Sequence, residues 1–122
     1  MPDCKTDFAS PIDLYHVVRT CWSPETCVSG WSTENPCRNQ CSVTALAVQH
    51  YFGGEVLKTK TKGGTHFYNA IDGVRWDLAT DQFDEPIPYE DLPSSIAEAL
   101  SDASPERFAV LIRQIEVRAA AK

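Results

Sequence analysis

The sequence predicts one α+β domain, helices packed on a small antiparallel sheet, and three observations carry that expectation. A chain of 122 residues has room for one hydrophobic core and little more. Val43, Ala45, Leu46, Ala47, Val48 and Tyr51 make the segment Cys41 to Phe52 apolar nearly all round, the pattern of a central buried helix. Beyond it, three short stretches rich in β-formers are separated by Lys62-Gly63-Gly64 and by Asp72-Gly73, which read as hairpin turns.

In chain order, Ser10-Pro11-Ile12-Asp13 is a helix start, with Ser as cap, Pro in the first helical position and Asp in the first turn. The helix is expected to run to about Thr20, burying Leu14, Tyr15, Val17 and Val18. From Cys21 to Asn39 the chain reads as irregular, punctuated by Ser23-Pro24, Ser29-Gly30 and Asn35-Pro36 and carrying Trp22 and Trp31. Loops of that length in a small domain are usually functional. Asn39 or Gln40 caps the central helix, and Gly53-Gly54 stops it. The expected strands are Glu55–Lys60, Thr65–Ile71 and Val74–Leu78. Asp84-Glu85-Pro86-Ile87-Pro88 reads as an extended connector. A short helix around Pro93–Leu100 and a final one from Ser104-Pro105-Glu106 complete the domain, the last carrying Phe108, Leu111, Ile112 and Ile115 on one face.

Charge and composition exclude several classes. Hydrophobic residues are 43% and charged residues 23%, as in ordinary soluble domains and unlike disordered, fibrous or membrane chains. No apolar run approaches the roughly 18–20 residues of a membrane span. A formal charge of −6 disfavours nucleic acid and anionic membranes as partners. The basic run Lys58-Thr59-Lys60-Thr61-Lys62 reads as a solvated hairpin. The N-terminus lacks the basic and apolar regions of an export signal, so a cytoplasmic protein is expected. Cys4, Cys21, Cys27, Cys37 and Cys41 are odd in number, which argues against a full disulfide framework. Only Cys37-x3-Cys41 has zinc-ligand spacing, so no metal is expected and no cofactor is implied; a zinc or redox switch is the minor alternative.

Three observations converge on Cys41. It opens the buried helix, where first-turn N–H groups and the helix dipole favour a thiolate. His66 lies on a strand downstream, and Asp77 on the next. With Asp72-Gly73 as a two-residue turn, Ile71 pairs with Val74, Tyr68 with Asp77 and His66 with Ala79. His66, Tyr68, Ala70, Arg75, Asp77 and Ala79 then share a face, with Asp77 diagonal to His66. The opposite face takes Phe67, Ile71, Val74, Trp76 and Leu78. Nucleophile, base and orienting acid are the parts of a thiol acyl-transfer site. Each residue alone has a plainer reading, as a buried thiol, a structural histidine or a turn-capping acid. His16 and His50 are expected to be structural.

Asn39-Gln40-Cys41-Ser42-Val43-Thr44-Ala45-Leu46 and Gln49-His50-Tyr51-Phe52-Gly53-Gly54 resemble the YunG-like family of small bacterial proteins. So do Thr65-His66-Phe67-Tyr68-Asn69, Ile71-Asp72-Gly73 and Asp77-Leu78-Ala79-Thr80-Asp81-Gln82-Phe83. The likeness covers roughly Cys21 to Phe83 and is weaker in the final helix. The order helix-starting Cys, His-x-x-Asn strand, Asp on the next strand is also similar to the transglutaminase-like branch of the papain-like superfamily. That resemblance implies a papain-like domain with Cys41 as nucleophile, His66 as general base and acid, and Asp77 fixing the imidazole. It further implies an oxyanion site at the Cys41 N–H, with Gln40 or Asn35 as the side-chain donor. The chain is shorter than those enzymes and lacks the second lobe of a peptide cleft.

The expected function is therefore a cysteine-dependent acyl transfer or hydrolysis on a small amide, ester or thioester, through an acyl-enzyme thioester. Tyr68 either binds substrate or flanks the histidine. Trp31 and Trp22 either wall the site against water or simply pack. The rival from another class is an inert binding module with the same fold. A homodimer is compatible with a small acidic domain carrying a long loop.

Overall fold

The Cys41–Phe52 helix (α2) is the axis on which the rest of the fold is built. All eight residues from Cys41 to Val48 are buried, as an all-round apolar helix requires. The structure is a computed structural model and describes residues 6–27, 32–35, 39–80 and 85–120. Three further helices surround α2: α1 (Pro11–Val18), α3 (Ile96–Ala103) and α4 (Pro105–Ala120). They contribute Leu14, Val17 and Val18, then Ala99 and Ala103, then Leu111 and Ile115 to one core. Burying each of the larger aliphatic side chains contributes roughly 1.5–3 kcal/mol.

The remaining wall is a four-stranded antiparallel sheet of β1 (Glu55–Thr61), β2 (Gly64–Ile71), β3 (Val74–Trp76) and β4 (Leu92–Pro93), in the order β3-β2-β1-β4. Asp72 and Gly73 have φ of 51° and 80°, the pair of positive values that a two-residue type I′ hairpin turn needs. This turn fixes Ile71 opposite Val74 and Asn69 opposite Trp76. On β2, Phe67 and Asn69 face α2, and the Asn69 amide donates to the Ala45 carbonyl at 3.0 Å. His66 and Tyr68 occupy the other face.

The α+β class, α2 and the hairpins match the expectation; three boundaries differ, each for a local reason, and so does the burial of one residue. Helix α1 stops at Val18 because the N–H groups of Thr20 and Cys21 bond back three residues, to Val17 and Val18, tightening the last turn. Strand β3 ends at Trp76 rather than Leu78, since the Asp77 carboxylate takes the Ala79 N–H at 3.0 Å and turns the chain out of the ladder. Helix α3 starts at Ile96, not Pro93. Ser95 caps it by accepting the Glu98 N–H, leaving Leu92–Pro93 to pair with β1. Val74 is 54% exposed, although it shares a face with Phe67, which is buried.

Gln40 occupies the cap position of α2 but makes no side-chain cap. Its buried amide accepts from Thr26 Oγ1 at 2.8 Å and donates to the Ser23 carbonyl at 3.2 Å. Trp22 is also part of the core, and its Nε1 donates to Thr44 Oγ1 at 3.0 Å. Of the two readings of this tryptophan, packing is the one the geometry gives. Among the described residues no helix is long and apolar enough to cross a membrane.

Candidate active site

Because the β2–β3 ladder closes at Asn69 and Trp76, the first half of β2 has no strand on that side among the described residues. Antiparallel pairing alternates the direction of backbone groups, so the Thr65 carbonyl points into this gap. The N-terminus of α2 arrives there, with the Cys41 sulfur 3.9 Å from the Thr65 oxygen. The thiol also bonds the imidazole of His66. On the far side of the ring, His66 Nε2 lies 2.7 Å from Asp77 Oδ2. With Nε2 committed to the carboxylate, Nδ1 is the ring nitrogen left for sulfur.

The three groups are shielded: Cys41 is 8% exposed, and the side chains of His66 and Asp77 are 1% and 6%. Burial alone pulls the imidazole toward its neutral form. The bonds and charges of Asp77 and Cys41 outweigh it and raise His66 to about 9. The imidazole is thus held as imidazolium through neutral pH. Cys41 belongs to the first helical turn, whose N–H groups have no acceptor within the helix, and the dipole adds positive potential at the sulfur. The neighbouring Ser42 hydroxyl is fully buried with no hydrogen-bond partner among the described residues.

A second layer was not legible in the sequence. Tyr89, in the proline-bearing connector, donates its hydroxyl to Asp77 Oδ2 at 2.7 Å. The Arg75 guanidinium sits over the Tyr89 ring at 4.7 Å and forks onto Asp91, at 2.9 Å from Nε and 2.6 Å from Nη2. Asp91 accepts the Tyr68 hydroxyl at 2.8 Å, and Tyr68 stacks on His66 with ring centroids 6.0 Å apart. Burial, then the Asp91 bond, pushes the Tyr68 phenol up to about 12. Bonds from Arg75 and Tyr68 hold Asp91 below the usual carboxylate range. No spacing rule brings Tyr89 to Asp77; the only signal is the extended Pro86-Ile87-Pro88 run, which carries the chain back along β1.

The structure therefore brings Cys41, His66 and Asp77 together. Tyr68, 1% exposed and stacked on the imidazole, flanks the histidine rather than facing solvent. Gln40 adjoins Cys41 with its amide tied to the Ser23–Thr26 turn. Asn35 lies in the described stretch 32–35, its N–H bonded to Ser32 Oγ at 3.1 Å. Trp31 lies outside the described residues, as do Cys4 and Cys37. Cys21 and Cys41 are free thiols, and among the described residues no three His, Cys, Asp or Glu side chains converge on a metal position. In the basic run, Lys58 pairs with Glu98 at 2.7 Å. Lys60 and Lys62 border a cavity of about 610 Å³ against Glu85–Pro88, which none of Cys41, His66 and Asp77 lines. A smaller cavity of about 200 Å³, with Tyr15, Trp76 and Leu78 in its wall, reaches Asp77.

Comparison with known proteins gives one family. The family model described as YunG protein matches residues 10–120. The protein called "Uncharacterized protein YunG" from Bacillus subtilis (strain 168) is 41% identical over 93 residues, 76% of this chain and 80% of that protein. No solved structure matches.

Proposed function

The chain belongs to the YunG family, and we propose that it is a cysteine-dependent acyl-transfer enzyme acting on a small amide, ester or thioester. The observation that carries the reading is the buried relay from the Cys41 thiol through His66 to Asp77, closed by the 2.7 Å contact between imidazole and carboxylate. A buried histidine in a purely structural role needs neither a thiol at a helix start on one nitrogen nor a carboxylate on the other. The order of the three groups, on helix, strand and the segment after the next strand, is similar to that of transglutaminase-like and papain-like enzymes.

In this reading the Cys41 sulfur, as thiolate, attacks the substrate carbonyl carbon and forms a C–S bond. Negative charge moves to the carbonyl oxygen, and the Cys41 N–H at the positive end of α2 stabilises it. His66 gives its Nδ1 proton to the departing amine, alcohol or thiol as the tetrahedral intermediate collapses to a thioester. Neutral His66 then takes a proton from water, or from an acceptor amine or alcohol, which attacks the thioester and returns sulfur to Cys41. Asp77 keeps Nε2 protonated throughout, so Nδ1 remains the nitrogen that exchanges protons with sulfur and substrate.

The test is alkylation by iodoacetamide, mapped to individual cysteines. Cys21, Cys27 and Cys41 are all buried, at 4%, 4% and 8% exposed, so burial alone protects them alike. Fast modification of Cys41 that disappears in His66→Ala supports the reading. Uniformly slow modification removes it and leaves an inert binding module.

A further inference from the structure

We propose that Tyr89 is a positioning residue for the acid of this site: its hydroxyl, held in place through Arg75 and Asp91, shares the charge of Asp77 and sets how tightly that carboxylate grips the His66 imidazolium. The inference rests on the roles given to Cys41, His66 and Asp77 above and extends them to a residue outside the relay.

A carboxylate as shielded as Asp77 needs donors on both oxygens. Oδ1 has the Ala79 N–H at 3.0 Å, while Oδ2 receives both the Tyr89 hydroxyl and the His66 ring, each at 2.7 Å. Two donors on one oxygen divide its charge, so the phenol bond weakens the pull of Asp77 on the imidazolium. Tyr89 also stands in a segment without regular structure, and its aim therefore depends on side chains. Arg75 covers one side of the ring at 4.7 Å, and the Tyr68 ring meets it edge-on at 5.0 Å. Asp91 clamps Arg75 with two bonds and shares two more with the Tyr68 hydroxyl. Tyr68 in turn stacks on His66, so the circuit starts and ends on the same imidazole.

Stability does not account for the ion pair in this cluster. The Arg75–Asp91 pair is 44% exposed on both sides, where ion pairs contribute little. What the pair does supply is orientation of a tyrosine whose hydroxyl turns inward to a shielded carboxylate. Among the described residues, the titratable groups around the histidine and acid are Cys41 from α2, Tyr68 and Arg75 from the sheet, and Tyr89 and Asp91 from the connector.

The experiment is a pH titration of ring resonances in protein labelled with ¹⁵N-histidine, with His16 and His50 as internal references. Tyr89→Phe keeps the ring and removes the hydroxyl; the His66 midpoint is expected to rise by about half a pH unit or more, because Asp77 with one donor fewer holds the imidazolium harder. Arg75→Gln is expected to shift it the same way by less, and it carries the test should Tyr89→Phe not fold. Tyr51→Phe, whose hydroxyl bonds Glu116 instead, leaves it in place. A midpoint that stays fixed or falls in folded Tyr89→Phe overturns the proposal. The titration reads the histidine–acid pair rather than turnover, so it is separable from the enzyme reading. A shifted midpoint with an unreactive Cys41 keeps the positioning role and ends the acyl-transfer reading, whereas a fixed midpoint with a reactive Cys41 does the opposite.

Discussion

Replacing Asp77 by Asn keeps the shape of the site and removes the charge that holds His66 protonated. The imidazole is raised from its ordinary 6.5 to about 9 in the folded protein, with Asp77 supplying the strongest upward pull against burial. A raised folded-state value means that folding binds the proton more tightly. The resulting stability is fully present below about pH 6.5 and is lost as pH climbs through 9. At roughly 1.4 kcal/mol per pH unit, the contribution is about 3 kcal/mol below pH 6 and falls to under about 1 kcal/mol at pH 9. Asp77 supplies the larger share of the upward pull and Cys41 the rest, so Asp77→Asn is expected to lose a large part of those roughly 3 kcal/mol at pH 6, and most of that gap should close by pH 9.5. Loss of the Tyr89 and Ala79 bonds adds an offset that does not depend on pH, so the slope is the diagnostic quantity. Urea unfolding followed by tryptophan fluorescence at half-unit steps from pH 5.5 to 9.5 measures it. A wild-type minus Asn difference that is flat over this range would refute the claim that Asp77 holds a buried imidazolium.

Two further expectations concern the scaffold around the site. Ser42→Ala removes a buried hydroxyl that has no partner among the described residues and places a better helix former in α2, so stability should rise by about 1 kcal/mol, read as a higher Tm. Gly54→Ala sets a Cβ 2.4 Å from the Ala70 carbonyl oxygen at a φ of +79°, and should cost about 3 kcal/mol or more. Gly53→Ala, at φ +73° and ψ −146° with nothing within 4 Å, should cost about 1–3 kcal/mol, the backbone part alone. Urea midpoints of the two glycine variants separate clash from backbone strain.

What could be read from the residues was whatever depends on near neighbours. Helix α2 was legible end to end because its apolar run is bounded by a cap position and two positive-φ glycines. The contact between His66 and Asp77 was legible because a two-residue turn fixes the parity of both arms. The strand itself stops one residue short of Asp77, and the Asx-type bond to Ala79 holds the acid in place instead. The start of α3 lies at Ile96 rather than Pro93 because Ser95, with Glu98 three positions later, forms the N-terminal cap, a signal that was present in the sequence. Tyr89 and Asp91 were invisible for another reason. Their partners lie 12 to 23 residues away across a connector, and nothing in local spacing encodes that return.

The central claim is that Cys41 is chemically activated by His66, and the most direct measurement is its alkylation rate from pH 5.5 to 9 in wild type and His66→Ala. An ordinary thiol with a pKa near 8.5 is under about 1% thiolate at pH 6 and gains reactivity tenfold per unit. A thiolate paired with a persistent imidazolium should instead react at a nearly constant rate from pH 6 to 8. In His66→Ala the rate at pH 6 should fall by at least about tenfold and recover the steep dependence. Superimposable, steep profiles in the two proteins would contradict the account.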